Sequence, residues 1–395
     1  MSEKELIFCN KSKFCGEYDT VVVGGGIAGV SAAIAASRHG AKTLLVEKGF
    51  MLGGLATAGL IVWYLPLCDG HGTQLSYGLS EELLRLSVSK GAQAEYPSAW
   101  LDGNDANERK KQRFAARFDA NAFAILLEQL ARKEKVDILY GTTVCSVNKN
   151  AEENRIKALQ FYNISGFGYV TAKSFIDATG DASVCDMAGE DTSVCVDKNK
   201  IAAWYFECLG GEYKLNCLGA RDSIDEDEGK EVLGLFTGVD AKELTNVTFK
   251  AHDTLLTEFL SKGKIDERHN LATIATIPQV RMTRKLVGAK NISVSDDGKT
   301  VTDSVGMFGS WRKRGPAFEL PYGCLCGKKI KNLAVAGRCV SVDDDIWDLT
   351  RVIPVCAVSG EAAGIASALS DDFSEIDVAE LQNEIVKVGG KIHLI

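Results

Sequence analysis

The chain has 395 residues, 46% of them hydrophobic, and a formal net charge of −8. That is enough for one large or two medium domains with a substantial core. The acidic balance argues against a nucleic-acid or anionic-membrane surface. The first residues are charged and lack the apolar core of a signal peptide, and no apolar run reaches ~18 residues, so the expectation is a cytoplasmic protein with no membrane segment. Twelve cysteines without any CxxC read as thiols rather than disulfides or zinc ligands, and no metal site is expected. Cys9 and Cys15 stand six apart. Cys324 and Cys326 stand two apart, either a redox pair or two small buried side chains.

Residues 1–17 read as an N-terminal arm. The short β-branched run Tyr18-Asp19-Thr20-Val21-Val22-Val23 predicts a buried strand. Gly24-Gly25-Gly26-Ile27-Ala28-Gly29 follows, a G-x-G-x-x-G, and then an alanine-rich helix ending near Gly40. Thr43-Leu44-Leu45-Val46 predicts a second strand, and Glu47 closes it. Together these form a complete βαβ dinucleotide fingerprint. Gly24 permits the tight turn, Gly26 lets backbone approach a pyrophosphate, and Gly29 lets helix lie on strand. The helix N-terminus favours phosphate charge. A carboxylate at Glu47 suits both ribose hydroxyls and repels a 2′-phosphate.

The loop from Lys48 through Gly53, Gly54 and Thr57 to Gly59 is rich in small residues, which suits backbone lying against an extended cofactor; an ordinary loop is the alternative. Residues 79–89 and 119–133 predict amphipathic helices, the second capped by Asp119. Strands are expected at 136–140 and 142–147, and a hairpin-like pair at 156–162 and 169–175. A further strand runs into the turn Ala178-Thr179-Gly180-Asp181. Residues 200–320 change character, with an acidic run at 222–228, a helix near 253–262 and short strands. The chain then returns to a buried strand ending at Gly337 and a helix over 354–369.

These motifs, in this order, resemble the FAD-dependent oxidoreductases of the glutathione-reductase-like superfamily. More closely, Pro278-Gln279-Val280-Arg281-Met282-Thr283-Arg284-Lys285-Leu286-Val287-Gly288 and Leu320-Pro321-Tyr322-Gly323-Cys324-Leu325 look like the bacterial FAD-dependent oxidoreductases loosely labelled xanthan lyase-like. The resemblance covers residues 18–370. It implies an α/β fold, a Rossmann-like FAD-binding domain of glutathione-reductase type with an inserted α+β substrate domain. The expected boundaries are 1–60, 115–200 and 320–395 for the discontinuous FAD domain, and 61–114 and 201–319 for the substrate or cap domain. It also implies FAD contacts at Gly24, Gly26, Ile27, Ala28, Gly29 and Glu47, and adenine facing backbone near Val144. Ala178, Thr179 and Gly180 would pass the middle of the cofactor. Gly337 would lie beside the ribityl and pyrophosphate part, and the N-terminus of the last helix, at Val352 or Ile353, would point at the flavin. Arg338 stands where many members have Asp, so a phosphate pairing is an alternative there.

A single fingerprint leaves no second nucleotide unit, so electrons are expected to pass between a small-molecule substrate and FAD, then to a separate acceptor such as oxygen, a nicotinamide or a redox protein. An NAD-dependent dehydrogenase and a flavin-binding subunit of an electron-transfer complex are the alternatives, and a homo-oligomer is left open. Among five histidines, His71 sits between glycines after the cofactor loop; it reads as an acid/base group, a structural histidine or a covalent flavin anchor. Arg281 and Arg284 would face opposite sides in a strand and share a face in a helix, and suit either a substrate carboxylate, the flavin edge or structural ion pairs. Tyr322 suits proton donation or core packing. Arg351 is expected near the flavin, and residues 311–314 in an exposed loop.

Overall fold

The computed structural model describes residues 10–103, 105–150, 152, 154–195, 199, 201–219 and 236–394; Cys9 and the acidic run at 222–228 lie outside them. The chain opens with β1 (Lys13–Val23), α1 (Ile27–Arg38) and β2 (Thr43–Val46). Next come α2 (Leu79–Val88), α3 (Ala120–Lys133), β3 (Asp137–Leu139), β4 (Thr143–Asn150), β5 (Arg155–Asn163) and β6 (Gly166–Asp177). β7 (Ala202–Leu209), β8 (Glu212–Gly219), α4 (Ala241–Ser261) and β9 (His269–Ile274) follow, and β10 (Leu333–Val335) and α5 (Ile353–Leu369) close the pattern.

The main sheet runs β3-β2-β1-β6-β5-β4, with β10 pairing along the C-terminal end of β6. β3, β2, β1, β6 and β10 are parallel, and β4 and β5 add an antiparallel flap. The arm expected at 1–17 is corrected in part, because β1 starts at Lys13. Its first residues are largely exposed, Phe14 among them, and only β6 pairs with them, so they carry no buried-strand signature. Asp119 caps α3 by accepting from Ala122 N at 2.7 Å. A second, smaller sheet, β8-β7-β9, is covered by α4, whose Ala251 and Leu255 pack with Tyr205 and Val280 in their own apolar cluster.

Helix α5 lies directly on α1. A Cβ on Gly360 would strike the Ala28 carbonyl and come within 2.9 Å of Ser31 Cβ. On Gly364 it would strike the Ala32 carbonyl and come within 2.9 Å of Ala35 Cβ. Ala28 thus meets Gly360 and Ala32 meets Gly364, so the helices run parallel. Ile353 precedes Gly360 by seven residues and Ile27 precedes Ala28 by one, so α5 starts six residues, or ~9 Å, ahead of α1.

One buried acid joins this layer to α2. Both oxygens of Glu361 accept from Leu79 N at 3.1 Å, at the helix start. Burial pushes Glu361 up to about 8; the Leu79 N–H opposes the shift, Glu82 adds to it and Arg38 opposes it. An acid raised in the folded state contributes stability that is complete below its ordinary value of 4.5 and is lost as pH rises toward 8. Glu361→Gln, which cannot ionise, should therefore gain on the native protein as pH rises from 5 toward 8 and level off above that, in chemical denaturation. A difference independent of pH would remove Glu361 from the titration.

Candidate active site

Gly24 leaves β1 with φ +106°, and a Cβ there would sit 2.7 Å from the Ala178 carbonyl carbon. A Cβ on Gly29 would strike the Gly24 carbonyl. Gly26 differs: it is the N-cap of α1, with extended backbone and no side-chain cap, and a Cβ there would meet nothing within 4 Å. The first-turn amides of α1 therefore open onto a space that any side chain at Gly26 would fill, which is the geometry of an anion cradle. Ile27 and Ala28 form the buried first turn behind it.

Glu47 folds back onto this turn. One carboxylate oxygen accepts from Gly25 N and the other from Gly49 N, each at 2.6 Å. The side chain is half-buried and each oxygen keeps further acceptor capacity. The glycine loop is tied to the same place, since Gly53 N donates to Gly25 O at 2.8 Å and a Cβ on Gly54 would come within 3.1 Å of Gly26 Cα. Thr57 is buried and its hydroxyl donates to Leu52 O at 2.6 Å, closing the loop from inside. Lys48 is exposed beside Glu47, and Val144 is half-buried opposite Phe161 in the flap.

Beyond β6, Asp177 is fully buried. It accepts from the backbone N–H groups of Thr179 (3.1 Å), Val184 (2.8 Å) and Cys185 (3.0 Å) and from the Thr179 hydroxyl (2.7 Å). Burial raises its pKa and these bonds pull it back. They fix the Ala178-Thr179-Gly180 turn, and Ala178 N donates to Val23 O at 2.9 Å beside the fingerprint. Gly337 follows β10 with φ +79°, and a Cβ there would come within 2.7 Å of Ala28 Cβ.

The Arg338 guanidinium donates to Gly180 O at 2.7 Å and to Val280 O, and pairs with Asp181 at 2.7 Å.

Val280 belongs to a strap from Gln279 to Thr283 that crosses between the cofactor loops. Gln279 donates to Gly59 O and accepts from Trp204 N at 3.0 Å. Thr283 donates to Asp181 at 2.8 Å and lies 3.2 Å from Gly180 O. Arg281 stands on this strap, half-buried, with its guanidinium 5.6 Å from the centre of the Trp204 ring. Arg284 is an ion-pair residue, 2.8 Å from Asp186. Gln279 and Thr283 alternate with Arg281 along the 278–288 run, and Asp181 belongs to the turn after β6, whereas nothing local in the sequence marks Trp204.

Helix α5 begins behind Val352, an extended N-cap with no side-chain cap, and carries Pro354 in its first turn. Arg351 closes the short helix Trp347–Thr350 immediately before it. His71 is exposed on a turn whose Asp69 accepts from His71 N at 2.7 Å and Thr73 N at 3.0 Å. Gly315 N donates to Asp69 O at 2.8 Å, so the turn rests on the 311–315 loop. That loop is exposed at Arg312, Lys313 and Arg314, as expected, but tied down: Arg312 pairs with the buried Asp348, and Trp311 Nε1 donates to Asp348 O at 3.0 Å. The Tyr322 hydroxyl donates to Phe373 O at 2.8 Å inside the core, and burial pushes it far above the ordinary phenol value, which agrees with the packing alternative. Cys324 and Cys326 are buried thiols, both raised by burial, which answers the redox alternative with packing. Among the described residues no group of three or more His, Cys, Asp or Glu could hold a metal, and no helix is long and apolar enough to cross a membrane.

If Arg338 is a clamp, Arg338→Met should cost about 1–3 kcal/mol by orphaning two carbonyls and Asp181, read from denaturant midpoints. FAD affinity should fall less than ten-fold. A large affinity loss at unchanged stability would instead identify a phosphate contact.

A family model described as FAD dependent oxidoreductase matches residues 19–203 and 238–385. Among curated relatives, the thioredoxin reductase of Ureaplasma parvum serovar 3 is 39% identical over 72 residues, 18% of this chain and 23% of that protein. The mercuric reductase of Staphylococcus aureus is 24% identical over 278 residues, 68% of this chain and 44% of that protein. The chain thus spans less than half the length of the curated relatives it matches. Among solved structures, a geranylgeranyl bacteriochlorophyll reductase-like protein from Thermoplasma acidophilum is 16% identical at TM-score 0.49, covering 95% of this chain and 84% of that one. The anhydrotetracycline hydroxylase OxyS from Streptomyces rimosus is 12% identical at TM-score 0.45, covering 93% and 64%. Neither reaches a TM-score of 0.5, and the chemistry in their names stays with those proteins. The family match over most of the chain agrees with the open cradle at Gly26 and the acid at Glu47: the protein belongs to the FAD-dependent oxidoreductases, and FAD is its cofactor.

Proposed function

We propose that the protein transfers electrons between a small organic substrate and FAD, with a separate acceptor such as oxygen, a nicotinamide or a redox protein completing the cycle. The carrying observation is the pair of parallel, uncapped helices whose N-termini are offset by ~9 Å on one side of the sheet. The offset suits one extended dinucleotide with its diphosphate at α1 and its ring system at α5. This is the glutathione-reductase-like arrangement, with the strap and the β8-β7-β9 sheet serving as the substrate cap.

Bound FAD supplies two-electron redox chemistry. The chain's residues do the rest. Amides at Gly26, Ile27 and Ala28 hold the diphosphate, Glu47 accepts the ribose hydroxyls, and Gly53 and Gly54 lie along the cofactor. The α5 N-terminus at Val352 and Ile353, with Arg351 beside it, favours negative charge on the ring system. Arg281, aligned by the strap and by Trp204, orients a polar or anionic group of the substrate. His71 exchanges a proton with the substrate from the turn that rests on the 311–315 loop. In support, Arg312 couples that loop to Asp348, three residues before Arg351.

The reading is tested by anaerobic bleaching of the FAD-loaded protein with panels of alcohols, amines and hydroxy acids, and by reoxidation with candidate acceptors. A protein inert toward every donor and acceptor would count against it. Glu47→Ala should weaken FAD binding by about 1.5–3 kcal/mol in titration of the apo-protein; unchanged affinity would place the ribose elsewhere. His71→Asn should keep FAD bound and slow substrate-driven flavin reduction by roughly 100-fold in rapid-mixing measurements. Native reduction rates across the pH range would make His71 a bystander.

A further inference from the structure

A cavity of about 110 Å³ lies inside the cap, between α4 and the segment that returns from β9 toward the strap. Ala203, Trp204, Val247, Ala251, Leu255 and Val280 are among the residues lining it, and His252 is the one titratable side chain among the described residues lining it. Its size is of the order that takes a benzene-sized group; engineered apolar cavities of roughly 150 Å³ hold benzene. Apolar walls with no fixed charge favour an uncharged, apolar occupant, because a buried charge without a partner is costly.

The cavity is fastened to the cofactor loops by its own lining residues. Thr276 N donates to Ala58 O at 2.9 Å, Gln279 donates to Gly59 O, and Val280 O accepts from Arg338. Trp204 is shared: it lines the cavity, its ring carries the Arg281 guanidinium, and its backbone N–H is held by Gln279. A molecule seated in the cavity therefore touches the strap that spans the two cofactor loops. We propose that this cavity is the specificity pocket for the substrate, receiving an uncharged aromatic ring or a branched alkyl group of similar size. The proposal rests on the FAD-linked reading of the site.

The test titrates the FAD-loaded protein with toluene, reading tryptophan fluorescence and the visible absorption band of the flavin in parallel. Saturable changes in both signals at one affinity are expected. Ala251→Phe, which fills the cavity from α4, should weaken both responses by about ten-fold or more while FAD stays bound. Thr248→Leu fills the same space from the same helix and gives the result if Ala251→Phe does not fold. Absence of saturable binding to the FAD-loaded protein would overturn the proposal. So would binding that leaves the flavin band unmoved, which would mark a remote site, or filled variants that bind toluene as the native protein does. Folded protein that carries no flavin would instead overturn the cofactor reading, and the tryptophan signal would still report whether the cavity binds.

Discussion

The structure depends on one close approach: α1 against α5, with no side chain between their backbones at Gly360 and Gly364. Each glycine inside a helix costs roughly 1 kcal/mol relative to alanine. The burial of both helices on nearly every side offsets that cost, since residues 27–36 of α1 and most of α5 are buried. The packing fixes the two helices as parallel and in one register. A shift of α5 by a single residue would drive a side chain into the Ala28 or Ala32 carbonyl. The relative placement of the two helix N-termini is therefore set by contacts in the middle of the helices. The two positive helix ends are positioned before any ligand arrives, which is preorganisation in the energetic sense.

The strap makes a second constraint of a different kind. From Gln279 to Thr283, side chains and carbonyls are hydrogen-bonded to the loop at Gly59 on one side and to Gly180, Asp181 and Arg338 on the other. Polar networks of this sort, once satisfied, allow few alternatives, because breaking one bond leaves a desolvated partner behind. The small sheet and the strap are thus held to the loops at Gly59 and Gly180 by specific bonds, beside the apolar packing of Trp204, Phe206 and Leu215 on the main core. Arg281 inherits its position from that coupling.

The fingerprint was legible because each of its demands acts on local backbone. A turn needs φ > 0 at Gly24, a helix must touch a strand at Gly29, and an acid must follow the second strand at Glu47. The α1 and α5 helices were legible as alanine- and glycine-rich runs, although neither is amphipathic. The start of β1 was not, since its first residues are solvent-facing and paired on one edge only. The Arg281 and Arg284 ambiguity could not be resolved in one dimension, because Asp186 and Trp204 are brought to them by tertiary packing. The same holds for Arg338 and Tyr322, whose partners at Gly180, Val280, Asp181 and Phe373 lie 51 to 158 residues away in sequence.

The buried acids show how a carboxylate's role can be read from its donors. Asp177 is saturated by three backbone N–H groups and a hydroxyl, and Glu190 by the amides of Lys328, Lys329 and Ile330. Both hold turns, and neither has capacity left for a ligand. Glu361 shares a single N–H between its two oxygens and is buried, so its charge is poorly supported and it moves toward the neutral form. Glu47 lies between these cases. Two short bonds fix its orientation at the turn that precedes the uncapped helix, and the side chain is only partly buried. An acid that is oriented but unsaturated, next to an amide cradle that is likewise unsaturated, is complementary to a polyhydroxylated anion, since the sugar donates where the acid accepts and the phosphate accepts where the amides donate.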